Sequence, residues 1–156
     1  MTRAWRLSRR KFAKNAFEGI GAARYGARWN PPGRAVVYTS ENLSLACLEF
    51  VVHLDVEDLP RGLIAIPAMI PDTIAIERVE EGSLPRGWRR YPFPRSLQRI
   101  GAEWLARGRS AVLSVPSVVV PIERNLLINP AHPDARLIVV EASVPFSLDS
   151  RLKGRA

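Results

Sequence analysis

Thirteen prolines scattered over 156 residues set the tightest limit on what this chain can become. Proline has no backbone N–H and breaks helices and inner strands alike, so the chain must be built from many short elements. The spacing shows no linker, no internal repeat and no low-complexity stretch. Pro31-Pro32-Gly33 is a strong turn signal, and Asn129-Pro130-Ala131-His132-Pro133 is a turn-rich connection.

Two windows carry a helical period. Leu43, Ala46, Cys47, Phe50, Val51 and Leu54 recur at i, i+3, i+4, i+7, i+8 and i+11. That spacing predicts a helix from Glu41 to Leu54 with Ser40 as its cap. Leu45, Leu48 and Val52 make the opposite side apolar as well, which predicts a helix buried inside the domain. Asn42, Glu49 and His53 are the polar exceptions and fall within about 40° of one another at 100° per residue. The second helix is expected over Arg95–Arg107, with Leu97, Ile100, Trp104 and Leu105 on its apolar side.

Short β-branched runs predict strands at Ala4–Leu7, Val36–Ser40, Leu63–Ile66, Thr73–Val79, Ala111–Val115, Ser117–Ile122 and Leu137–Ala142. Arg9–Gly26 reads as loop with a helical turn at most, and Gly82–Pro94 as loop. Strands leading, with two helices inserted, predict an α+β fold around a largely antiparallel core, in a single domain over residues 1–156.

Hydrophobic residues make up 47% and charged residues 24%, ordinary values for a globular fold. A single cysteine, Cys47, leaves no internal disulfide and is read as a core residue on its helix stripe. No His/Cys cluster has metal-ligand spacing, and no apolar run nears the ~20 residues that span a bilayer. The N-terminal stretch is basic with no apolar run behind it, so a cytoplasmic protein is expected. Net charge is +8, and only three of the 23 basic residues are lysine. Such a surface attracts nucleic acid, phosphorylated ligands or an acidic partner, and arginine suits bidentate phosphate contacts.

GxGxxG, GxxxxGK[ST], HExxH and CxxC are all absent. What the chain does offer is Arg28, Tyr38 and Glu49, ten and eleven residues apart on a turn, a strand end and a helix. That layout can bring a cation, an aromatic hydroxyl and a carboxylate into one cleft. Each has a plainer reading: a surface arginine, a core-edge tyrosine, and an acid in a solvent-facing strip paired with His53. A carboxylate on an apolar helix is costly to bury unless paired or used, and the period alone leaves both readings of Glu49 open. Ser117 sits between two β-branched runs without a nucleophile elbow or partner base. The loop Gly87-Trp88-Arg89-Arg90-Tyr91-Pro92-Phe93-Pro94-Arg95 interleaves aromatics with arginines, as a stacking platform for single-stranded nucleic acid, a lid or a docking loop would.

Taken together, Trp5-Arg6-Leu7-Ser8, Gly26-Ala27-Arg28-Trp29-Asn30 with Gly33, Val37-Tyr38-Thr39-Ser40, Leu48-Glu49-Phe50 with His53, Pro116-Ser117-Val118-Val119-Val120-Pro121 and Asn125-Leu126-Leu127-Ile128-Asn129-Pro130 with His132-Pro133 resemble the RES family. The likeness covers nearly the whole chain in order. One position departs: Ala27 stands where the family usually has glycine. The resemblance implies an ADP-ribosyltransferase-like fold and a bacterial toxin that depletes NAD⁺ by cutting its nicotinamide–ribose bond. Water or inorganic phosphate would be the acceptor, and NAD⁺ is then substrate, with no resident cofactor. It also implies an Xre-type helix-turn-helix antitoxin as partner, with DNA bound only through that antitoxin. Carried over by position, the catalytic residues are Arg28, Tyr38, Glu49 and Ser117, with Arg6, Arg28 and Tyr38 binding substrate. Two alternatives stand beside it: protein ADP-ribosylation at the same site, and a basic nucleic-acid-binding module.

Overall fold

A computed structural model describes residues 1–55 and 59–152. Eight strands form one mixed sheet: β1 (Thr2–Arg9), β2 (Val37–Ser40), β3 (Leu63–Ile70), β4 (Ile76–Arg78), β5 (Val112–Pro116), β6 (Arg124–Ile128), β7 (Val139–Val140) and β8 (Val144–Phe146). Their order is β4-β5-β6-β2-β1-β3-β7, with β8 also pairing β3. Every pairing is antiparallel except β4 with β5. The helices are α1 (Ile20–Tyr25), α2 (Leu43–Val51) and α3 (Arg95–Arg107). This is the expected α+β arrangement of a mixed sheet with inserted helices.

The seam between β1 and β2 shapes the site. β1 pairs β3 along its whole length, but it meets β2 only at Trp5↔Ser40. Arg6 crosses the seam, its Nη1 donating to the Tyr38 carbonyl at 2.8 Å. A side chain thus stands in where a backbone ladder would run.

The β period of two sorts the core. Leu127 of β6 joins Trp29, Trp88, Leu97, Trp104, Leu113 and Val115 on one face, while Leu126 and Ile128 join Val37, Val112, Ile70 and Ile74 on the other. α3 closes the first face with Leu97, Trp104 and Leu105 buried. α2 packs Leu43, Cys47 and Phe50 against Leu7, Leu63 and Ala65.

Several expectations change. β3 runs through Pro67 to Ile70 instead of stopping before it. The Pro67 carbonyl accepts from Glu141 N on the outer side, so the missing N–H also faces that side. There only the short β8 and β7 pair, on either side of Pro67. α2 is shorter than Glu41–Leu54, and its cap is Asn42, whose side chain accepts from Leu45 N. Ser40 instead ends β2. Only Leu45 and Ala46 of α2 are buried, and Val52 just beyond it is 56% exposed, so this helix lies across the sheet with one side outward. Arg9–Gly26 holds a 3-10 turn and α1. Residues 117–122 make a tight hairpin turn, not a strand, and the strand falls at Arg124–Ile128. Thr73–Val79 and Leu137–Ala142 shrink to β4 and β7. Among the described residues no helix is long and apolar enough to cross a membrane.

Candidate active site

Arg28 sits in a turn closed by reciprocal backbone bonds between Ala27 and Asn30, of 2.9 and 3.3 Å. Gly26 precedes it at φ 70, where a Cβ would strike the Pro32 ring. Ala27 needs no such freedom, since among the described residues no non-glycine has a positive φ, so the departure from glycine costs the turn nothing. Asn30 is fully buried and acts as the hub. Its Nδ2 faces the carbonyls of Ala22, Pro31 and Arg34 at 3.0–3.2 Å, and its Oδ1 accepts the Tyr38 hydroxyl at 2.6 Å. Gln98 of α3 donates to the Ala27 and Asn30 carbonyls. The turn is therefore fastened to β2 on one side and α3 on the other.

Arg28 itself is half-buried. Its Nη1 donates to the carbonyls of Trp88 (2.9 Å) and Arg90 (3.0 Å), and its guanidinium lies 5.5 Å from the Phe93 ring centre. Its remaining N–H groups make no bond among the described residues. Burial pulls this guanidinium below an arginine's ordinary pKa, and the charge of Glu49 acts against that pull. On the far side of the same loop, Arg89 Nε donates to the Val118 carbonyl at 3.1 Å. The 87–93 segment thus ties the Arg28 turn to the 117–122 hairpin. Trp88 is buried within the core and Tyr91 is exposed, so the loop offers fewer free aromatic faces than its sequence suggests.

Tyr38 donates to Asn30 and accepts from Trp29 N at 3.2 Å. Its hydroxyl is fully engaged in holding the turn. Burial raises its pKa far above the ordinary value, so it stays a neutral donor. Arg6 is half-buried. Its Nε is buried with no partner, and burial alone pushes its pKa down.

Glu49 turns away from His53 and toward the β5–β6 hairpin. Oε1 accepts from Ser117 Oγ at 2.7 Å and from Asn125 Nδ2 at 2.6 Å. Oε2 has no hydrogen bond among the described residues. His53 lies past the end of α2, exposed, so the i+4 pair of the solvent-strip reading does not form. Ser117, fully buried, also accepts from Val119 N and Val120 N at 3.0 Å, which curls residues 117–120 into a turn.

The five residues singled out from the sequence fall into two hydrogen-bonded groups, Arg6 and Tyr38 with the Arg28 turn, and Glu49 with Ser117. The charge of Glu49 acts on Arg28 across them. Two partners carried no role in the sequence reading, Asn30 and Asn125. Their signal was present: asparagine is depleted in strands, yet Asn125 opens a buried β run. Two surface grooves lie apart from this group, one beside Phe17, His132 and Arg136, the other beside Glu41, Ser114 and Arg124. The second also sets a carboxylate, Glu41, beside two cations, Arg78 and Arg124, but none of the five residues singled out from the sequence lines either groove.

The family model for the RES domain matches residues 3–149. A relative from Sphingobium sp., named Prs ADP-ribosylating toxin, is 40% identical over 159 residues and 99% of each chain. Toxin Res of Photorhabdus laumondii is 36% identical over 150 residues and 95% of each chain. A chain of the M. tuberculosis MbcT–MbcA toxin–antitoxin complex shares the fold, with TM-score 0.75 over 93% of this chain and 84% of that one at 15% identity. With its family model matched from near one end to the other, and relatives of this identity covered over their full length, this chain belongs to the RES domain family.

Proposed function

We propose that the protein is a toxin that consumes NAD⁺ by breaking its nicotinamide–ribose bond, with phosphate or water as acceptor. The Glu49 carboxylate carries this reading: one oxygen is anchored by Ser117 and Asn125, the other has no hydrogen bond among the described residues, and its charge acts on Arg28. Breaking the bond builds positive charge on the ribose in an oxocarbenium-like transition state. A carboxylate already locked in place stabilises that charge without reorganising during the reaction. Nicotinamide leaves as a neutral base, so no strong general acid is needed.

Arg28 keeps N–H groups for the pyrophosphate or for an attacking phosphate ion through charge-assisted bonds. Arg6, half-buried with an unpartnered Nε and no carboxylate partner among the described residues, suits the same anionic part of the substrate. Tyr38 contributes its ring, because its hydroxyl is taken up by Asn30 and Trp29. It places the Arg28 turn and packs beside the ribose. Of the two roles open to Ser117, contact with the nicotinamide amide or with a catalytic side chain, its bond to Glu49 supports the second.

Incubating the purified protein with NAD⁺, with and without phosphate, should release free nicotinamide. No release in either buffer at high protein concentration overturns the proposal. Glu49→Gln keeps an oxygen to accept from Ser117 and Asn125 while removing the charge. Nicotinamide release should fall by about 10²–10³-fold with the fold intact.

A second reading is transfer of ADP-ribose to a protein, and the name of the 40% identical relative favours it. The bond broken is the same and the acceptor differs. Mass spectrometry of lysate proteins after incubation with labelled NAD⁺ separates transfer from plain consumption. The partner we propose is an Xre-type antitoxin in the same cytoplasm, in line with relatives named as toxins and a neighbour solved with its antitoxin. The net charge of +8 suits an acidic segment of such a partner.

A further inference from the structure

Resting on the NAD⁺-cleaving reading, we infer that Asn125 is a positioning residue that aims Glu49. Ser40, Asn125 and Ser117 form one hydrogen-bonded chain that leaves Oε2 as the only oxygen of Glu49 free for the substrate. The direction of every bond in the chain is forced. Ser40 Oγ donates to Asn125 Oδ1 at 2.7 Å, which leaves Nδ2, a donor, to meet Glu49 Oε1 at 2.6 Å. The opposite amide orientation would set an oxygen against a carboxylate. Ser117 Oγ receives two backbone N–H groups, so its own proton has one place to go, Glu49 Oε1. Two donors on one oxygen hold both the position and the rotation of the carboxylate.

The anchor is rigid. Asn125 pairs with Ser40 on β2 and with Val115 on β5, in the middle of the sheet. Glu49, by contrast, comes from a helix of nine residues with one side outward. The strand therefore steers a side chain that its own helix holds loosely. Placing an asparagine in a central strand costs β propensity, and the bond to Glu49 is the return for it.

Asn125→Asp preserves shape and still accepts from Ser40, but sets an acceptor against Glu49. At neutral pH kcat for nicotinamide release should fall by about tenfold or more, with KM within about twofold of wild type. Two carboxylates sharing a site bind a proton between them more readily than either alone, and the protonated one donates as the amide did. The variant should thus recover activity as pH falls, moving its pH–rate profile acidward of the wild type. A purely structural role would not move that profile. Asn125→Ala provides the same kcat-against-KM comparison if the aspartate variant folds poorly. Unchanged kcat and pH profile overturn the inference, as does loss of native fold in both variants. An inactive wild type overturns the NAD⁺ reading and this inference with it; an active wild type with unaffected variants overturns this inference alone.

Discussion

Tyr38 shows how a residue chosen for chemistry can act through structure. Its hydroxyl joins Asn30 and Trp29 N, and Asn30 is the hub of the Arg28 turn. In Tyr38→Phe the buried Asn30 Oδ1 and Trp29 N lose a partner, which should cost about 1–3 kcal/mol and lower Tm. Nicotinamide release should fall in parallel, because Arg28 is no longer held. The pH dependence has a definite sign. Burial raises the native pKa of Tyr38 above the ordinary value of about 10, so the folded protein holds this proton more tightly than the unfolded chain does. The associated stability is fully present below about pH 10 and is lost as pH rises beyond it. Chemical denaturation at pH 8 and pH 11 should therefore show the gap between wild type and Tyr38→Phe narrowing at the higher pH. A gap of the same size at both pH values would place the Tyr38 hydroxyl in water.

The elements are as tightly matched as the residues. Gly101 lies on the face of α3 that meets the Arg28 turn, and an added Cβ there would sit 1.5 Å from the Trp29 carbonyl oxygen. The obstacle is backbone, which cannot rotate aside. Gly101→Ala should thus push α3 off the turn, costing about 1–3 kcal/mol or more by overpacking and loosening the Gln98 bonds. Thermal melts should show the loss, and nicotinamide release should drop further than stability alone explains, since Trp29 adjoins Arg28. How legible each element was follows from its local signals. α3 was readable to the residue because Pro94 stands before it, Gly108 follows at φ 56, and its apolar stripe is strong. The end of β2 misled, because Ser40 and Asn42 are both good caps and only the tertiary bond from Ser40 to Asn125 decides between them. Val118-Val119-Val120 reads as strand by propensity, yet the Ser117 hydroxyl takes two of its backbone N–H groups and turns it.

At the scale of the whole molecule, the candidate site gathers at the poorly zipped seam between β1 and β2 and at the hairpin opposite it. Arg6 and Tyr38 come from the seam, Ser117 and Asn125 from the hairpin and its strand, and Arg28 and Glu49 lean in from the turn and from α2. No one element carries the group. Expressing the wild-type protein in bacteria should arrest growth and drain cellular NAD⁺, and Glu49→Gln should do neither. NAD⁺ measured in extracts before growth slows separates cause from consequence. An equal fall in both strains would move the toxicity to another part of the protein.

By itself, the sequence determined the class of fold, the α3 helix, most of the short strands and the identity of the chemical groups. Proline punctuation, β-branched runs and helical spacing are local signals, and local signals are what a single chain displays. It also presented Arg28, Tyr38 and Glu49 at spacings that allow a cleft. Which way Glu49 faces was decided only by the tertiary structure, because a helical strip looks the same toward solvent or toward a hairpin until Ser117 and Asn125 are brought beside it. The same holds for Tyr38, whose hydroxyl is consumed by a turn eight residues earlier, and for Asn125, whose value depends on a partner 76 residues away. Long-range hydrogen bonds fix direction, and direction leaves no trace in spacing.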